Sequence, residues 1–177
     1  MVSGKIYVAF LDGYSPRWAD ELPQNIAQFF ALPARRLDLK FDLTQSYATD
    51  RGQYHATLIL AALLRHLPTP DDKIIGVTSL DLFIPILTFV FGQSLLDGPG
   101  AVVSTYRLRN EFYGLPSDEG LLVDRTLKEI VHELGHSFGL VHCPDYDCVM
   151  HPSSNVEGVD LKGAFFCQDC DRRVSGT

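Results

Sequence analysis

Apolar and β-branched residues first gather at 5–11 (KIYVAFL), a strand pattern stopped by the turn-forming pair Asp12-Gly13. From 16 to 31, Trp18, Leu22, Ile26, Phe29 and Phe30 recur at helical spacing, which predicts a helix whose first turn is weakened by Pro23. Residues 36–43 (RLDLKFDL) alternate charged and apolar side chains, the pattern of a half-buried strand. Residues 53–67 are apolar nearly all round and end at Pro68, so a buried helix packed on a sheet is expected there. A further strand is predicted at 73–80 (KIIGVTSL), and two more at 88–93 (TFVFGQ) and 101–108 (AVVSTYRL), with a Gly/Pro turn at 97–100 between them. A long helix follows from about 120 to 138, and the remainder reads as loop. Strands alternating with helices predict a mixed α/β (α+β) fold, with antiparallel pairing where 88–108 returns on itself.

The long helix carries the chemistry. It contains His132-Glu133-Leu134-Gly135-His136. Four residues advance a helix by about 400°, so His132 and His136 share a face one turn apart, a separation that lets two imidazoles meet one zinc. Glu133 then lies beside the metal without ligating it, placed to act on a metal-held water. His142 lies ten residues beyond His132. In a continuous helix it would sit about 15 Å further along the axis, out of reach. Gly139 resolves this, because a glycine takes positive φ without penalty and turns the chain sharply, bringing His142 back to the metal. Leu127, Ile130, Val131, Leu134 and Phe138 supply the apolar surface that packs the helix.

All four cysteines fall within the last 35 residues, as two close pairs, Cys143-x4-Cys148 and Cys167-x2-Cys170. Four thiolates in this spacing can close a structural zinc site; two disulfides or free thiols are the alternatives. A reducing compartment favours the metal. Composition fits a globular chain, 46% hydrophobic and 21% charged. The net charge of −7 argues against a nucleic-acid or anionic-membrane partner. The longest apolar stretches, 57–64 and 80–91, are too short or too interrupted to span a bilayer, and residues 1–10 lack the features of a secretory signal, so the cytoplasm is the expected location.

Together, HELGHSFGLVHC-x4-CVM and the later CQDC closely resemble the archaemetzincins, a branch of the metzincin metallopeptidases. The resemblance covers chiefly 129–170, and AVVSTYRL at 101–108 also looks like the family. It implies one metzincin-like domain over 1–177, with a sheet-and-helix part at 1–139 and a small zinc-stabilised part at 140–177. It also implies a twisted, mostly parallel sheet with flanking helices, an active-site helix and one antiparallel edge strand above the cleft. By that analogy 88–93 is either the edge strand that pairs with an extended peptide or a core strand. Met150 would form the apolar floor beneath the histidines, a role that rests on the family, since plain packing explains a methionine equally well.

The expected cofactors are thus two zinc ions, one catalytic on His132, His136 and His142, and one structural on Cys143, Cys148, Cys167 and Cys170. The expected reaction is peptide hydrolysis on a peptide or protein substrate, by a monomer. Zinc with three protein ligands keeps a position open for water and lowers its pKa towards 7, and Glu133 takes the proton and passes it to the leaving amine. The rival reading is a zinc-binding adaptor that holds a peptide or protein in a peptidase-like cleft; an intact Glu133 favours catalysis. Tyr146 is expected as an exposed loop residue, His151 in a surface or packing role, and His55 and His66 as structural residues on a helix remote from the metal.

Overall fold

The computed structural model of the chain describes residues 4–176. Its central sheet is built from β1 (Ile6–Phe10), β2 (Ala34–Arg36), β5 (Lys73–Thr78), β7 (Gly92–Ser94) and β8 (Gly100–Ser104). The strand order is β2-β1-β5-β8-β7, parallel throughout except for β7, which runs antiparallel to β8 at one edge. A smaller sheet, β3 (Tyr47–Ala48), β4 (Gln53–His55) and β6 (Leu82–Phe83), is ordered β3-β4-β6.

Alternation along the strands sorts side chains between two cores. Ile6, Val8, Phe10, Ile75, Val77, Ala101 and Val103 face one side, where they meet α1 (Leu22–Phe30) and α3 (Glu119–Ser137). Ala9, Leu11, Ile74 and Val102 face the other, against Ala56, Ile59, Leu60 and Leu63 of α2 (Ala56–Leu63). A sheet covered on both faces needs continuous apolar strands, and this is why 73–78 and 101–103 read so uniformly apolar. Cys148, Val149, Met150, Cys170 and Val174, all beyond α3, belong to the same buried cluster as α1 and α3.

Several elements differ from the sequence-based expectations. The helix expected at 16–31 starts only at Leu22; Pro23 sits in its first turn, where the missing N–H is tolerated, and 16–21 form turns. The strand expected at 36–43 lies instead at Ala34–Arg36. The Leu37 N–H still donates to Val8 O at 2.8 Å, after which residues 38–43 leave the sheet; Leu37, Leu39, Phe41 and Leu43 nevertheless pack on the second core, so the alternation records burial beyond the end of the ladder. The expected helix at 53–67 is strand β4, then α2, then a single 3₁₀ turn, Leu64–His66, before Pro68. The strand expected at 88–93 is shifted: only Val90 bridges to Leu82, and the antiparallel edge is Gly92–Ser94. The strand at 101–108 stops at Ser104 and passes into a 3₁₀ turn, Tyr106–Leu108. Two short helices replace the expected loop, α4 (Val156–Leu161), capped by the Asn155 side chain, and α5 (Gln168–Ser175).

The helix expected at 120–138 forms as α3. Asp118 caps its N-terminus, its carboxylate accepting from the Leu121 N–H at 2.9 Å. At the other end, Gly139 has φ +88°, its N–H donates to His136 O and the Leu140 N–H donates to Gly135 O, both at 2.9 Å. These two bonds and the left-handed residue make a Schellman stop. The Lys73 ammonium donates to Ser137 O at 2.8 Å and the Asp97 N–H to His136 O at 2.9 Å. The last carbonyls of α3 are therefore tied to β5 and to the β7–β8 turn, which holds the end of the helix that carries His136. Among the described residues, no helix is long and apolar enough to cross a membrane.

Candidate active site

His132 and His136 project from α3 side by side, and the reversal at Gly139 returns His142 to them. The three rings form a triangle with centroids 4.7, 4.9 and 5.4 Å apart. His132 Nδ1–H donates to Val149 O at 2.8 Å, and His136 Nδ1–H donates to Leu140 O at 2.7 Å. With the proton on Nδ1, each Nε2 carries a lone pair, and the two Nε2 atoms stand 3.2 Å apart. Two acceptors cannot bond each other at that distance. Tetrahedral zinc with arms of about 2.0–2.1 Å needs ligand atoms about 3.3–3.4 Å apart, so this pair fits such an ion. Burial, the largest influence on each ring, lowers the pKa of all three histidines and holds them in the neutral, ligating form.

The four cysteines make a second cluster, with Sγ atoms all within 4.8 Å of one another. All four thiols are free rather than joined in disulfides. Cys143 Sγ lies 3.7 Å from Cys167 Sγ, against about 3.8 Å for the edge of a tetrahedron with 2.3 Å zinc–sulfur arms. Burial raises the Cys148 and Cys170 thiols, while Cys167, at the start of α5, is lowered chiefly by a backbone hydrogen bond from Cys170.

The two clusters share a strap. Cys143 follows His142 directly, the Val149 carbonyl that orients His132 follows Cys148, and the Cys143 N–H donates to Met150 O at 3.0 Å. Met150 is fully buried and its sulfur lies directly against Gly135; a Cβ on that residue would fall 2.4 Å from Sδ. Gly135 is thus required for helix and strap to approach, and it is a residue that sequence reasoning missed. Its signal was a glycine inside the last turn of the helix, between two histidines, where propensity alone argues against one.

Glu133 is buried beside Gly92 of β7 and accepts a hydrogen bond from Ser94 Oγ at 2.7 Å. Burial pushes its carboxyl up to about 8, opposed by the Ser94 hydrogen bond and the Lys162 charge. Nothing in the sequence marked Ser94, 39 residues away in the chain. A cleft of about 550 Å³ opens over this carboxylate. It is lined by residues 87–92, by Pro152, Ser153 and Ser154, and by Glu129, His132, Glu133 and His142. β7 is the last strand of its sheet, so among the described residues its outer edge, away from β8, has no strand partner.

Of the remaining sequence candidates, Tyr146 is 77% exposed and packs against His151 with the rings tilted by 40° and their centroids 4.5 Å apart. His151 Nδ1–H donates to Cys143 O at 3.0 Å, so it supports the strap. His55 precedes α2 and packs on Phe83, and His66 packs near Phe41, both away from the two clusters.

Comparison with known proteins agrees with this geometry. The model of peptidase family M54 matches residues 30–175. An archaemetzincin of Thermococcus kodakarensis is 49% identical over 172 residues, covering 92% of this chain and 91% of its own length. The crystal structure of archaemetzincin from Methanopyrus kandleri superposes with a TM-score of 0.84 at 36% identity, covering 97% of this chain and 93% of that one. That of a zinc-dependent peptidase from Methanocorpusculum labreanum gives 0.85 at 28% identity, covering 96% and 99%. The chain belongs to peptidase family M54, the archaemetzincins, and is a zinc metallopeptidase acting on peptide substrates.

Proposed function

We propose that this chain hydrolyses peptide bonds at the His132–His136–His142 cluster with Glu133 as general base, and that the four cysteines hold a second, structural zinc. The observation that carries the reading is the convergence of the three imidazoles beside a cleft whose lining includes the buried Glu133 carboxyl. When bound there, zinc supplies Lewis acidity, polarising the scissile carbonyl and acidifying a water.

The chain's own groups do the rest. Glu133 takes the proton of the attacking water on a carboxylate oxygen and delivers it to the leaving amine. Ser94, donating to Oε2, fixes the rotamer of that carboxylate and leaves Oε1 for the proton. The free edge of β7 offers backbone groups to an extended substrate, which would be added as a further strand across the cleft. Gly139 and Met150 place His142 and support the histidine pair. A monomer acting in the cytoplasm, without nucleic-acid or membrane partners, completes the reading; the charge of −7 supports the exclusion of polyanions.

Digestion of a peptide library by zinc-replete wild type and Glu133→Ala tests it. The variant should retain its zinc and lose hydrolysis by at least about a hundredfold. Equal cleavage by both proteins would remove Glu133 from the mechanism. If neither protein yielded products, the cleft would be a peptide-holding site and the chain an adaptor.

A further inference from the structure

The stretch 87–92 that lines the cleft is held by two different means. Its second half is held by backbone: the Val90 N–H donates to Leu82 O at 3.0 Å, Phe91 O accepts from the Ser104 N–H at 2.8 Å, and β7 begins at Gly92. Its first half is held by side chains. The Leu87 N–H makes only a turn bond, to Ile84 O of the same loop. Among the described residues, the hydrogen bonds that tie Leu87 and Thr88 to the body of the fold come from Arg51 and Gln53. Arg51 Nη2 donates to Leu87 O at 2.9 Å and to Thr88 O at 3.2 Å, and Gln53 Nε2 donates to Thr88 O at 3.0 Å. Both donors are themselves braced. The Arg51 guanidinium lies 4.1 Å from the centroid of the Phe83 ring, and its Nε donates to Gln53 Oε1 at 3.2 Å. Gln53, 7% exposed, also donates to Asp81 Oδ2 at 2.9 Å. Asp81 is gripped at both oxygens by Arg107, whose guanidinium lies over the Phe89 ring. Gln53 opens β4 and Asp81 immediately precedes β6, so the small sheet carries this clamp.

We propose that Arg51, braced by Gln53, is a positioning residue for the substrate: it fixes where residues 87–89 stand, and thereby how tightly the cleft holds a peptide. The inference rests on the peptide-binding reading of the same cleft. Stability gives little reason for the arrangement, because Arg51 is exposed and exposed polar contacts contribute little to folding. Position gives more. The guanidinium plane is set by the Phe83 ring and the Gln53 amide, so two consecutive carbonyls are held against a donor that is already oriented. A lining ordered beforehand needs no ordering when a peptide arrives, which strengthens binding. The catalytic base has separate support. Glu133 lies against Gly92 and accepts from Ser94, and the ladder from β7 to β8 sets the place of both. Loosening 87–89 should therefore weaken the hold on substrate and leave the chemical step in place.

The test is steady-state kinetics of the zinc-loaded full chain, wild type, Arg51→Met and Arg51→Lys, on a peptide that wild type cleaves in the library digest. Methionine keeps an apolar stem over Phe83 and removes the donors, whereas lysine restores a donor without the planar fork. In Arg51→Met, KM should rise about tenfold with kcat within about twofold of wild type, and Arg51→Lys should recover part of the loss. The dissociation constant of the same peptide, measured with Arg51→Met added to Glu133→Gln, should rise by a similar factor. Arg36→Met is the control. Arg36 pairs with Asp20 and Asp38 and lies over the Phe10 ring, but it sits on β2, at the opposite edge of the sheet. Its KM should stay within about twofold of wild type, with zinc content unchanged in every protein. An unmoved KM and dissociation constant in Arg51→Met, a loss confined to kcat, or an equal rise in Arg36→Met overturns the proposal and leaves the hydrolytic reading standing. If wild type digests nothing, the hydrolytic reading fails by itself. The clamp is then judged on the peptides that immobilised wild type and Arg51→Met retain from the library. Equal retention, or none by either protein, overturns it.

Discussion

Replacing Cys148 and Cys170 together by alanine should cost the protein zinc at the histidine site as well as the cysteine site, although no histidine is touched. Structural zinc on thiolates contributes an apparent binding free energy of about 10–16 kcal/mol at neutral pH. That equals or exceeds the roughly 5–15 kcal/mol by which whole domains are stable. Apart from the clip, the segment after α3 rests on the buried side chains of Leu140, Val149 and Met150, on Val156 and Val159 in α4 and on Val174 in α5. Losing the clip should therefore free the strap, and the strap carries His142, the carbonyl that orients His132 and the methionine under Gly135. Elemental analysis should show well under one zinc per chain, and the melting temperature should fall by at least about 10 °C. One full zinc equivalent with a melting point within about 3 °C of wild type would mean that packing alone holds the strap.

The second large effect is expected at the buried pair. Lys162→Met leaves the Glu129 carboxylate, 5% exposed, without its counter-charge. Breaking such a pair on one side costs about 3–5 kcal/mol, a substantial part of a domain's stability, whereas exchanging both members for neutral groups of similar volume is often close to neutral. Denaturant unfolding of the zinc-loaded proteins should therefore place Lys162→Met well below wild type and recover most of the loss in the Glu129→Gln, Lys162→Met double variant. A single variant within about 1 kcal/mol of wild type, or a double variant no better than the single, would show the pair to be solvated and energetically slight.

What the sequence revealed and what it hid follow from the range of the interactions. His132, His136 and Glu133 are related by helical offsets, His142 by one glycine whose left-handed φ is a local property, and the cysteines by spacings within two short loops. All of these are legible along the chain. Ser94 with Glu133 and Lys162 with Glu129 are pairings 39 and 33 residues apart that only the folded chain creates. The small β3-β4-β6 sheet is built from strands of two or three residues, too short for a period to register. Residues 37–43 show the converse: a clear period of two, set by burial on the second core, that runs on past the last ladder bond at Leu37. Helix α5 escaped because only Cys170 and Val174, four residues apart, are buried on an otherwise polar eight-residue helix.

The central claim is that one reversal at Gly139 joins His142 to the helical pair over a single zinc, with the cysteines holding another. Anomalous diffraction at the zinc edge from crystals of the zinc-loaded protein tests it most directly. Two peaks are predicted: one about 2.0–2.1 Å from a ring nitrogen of each of His132, His136 and His142, the other about 2.3 Å from all four Sγ atoms. A metal held by His132 and His136 alone with His142 turned away, or a cysteine cluster closed by disulfides without a peak, would contradict it.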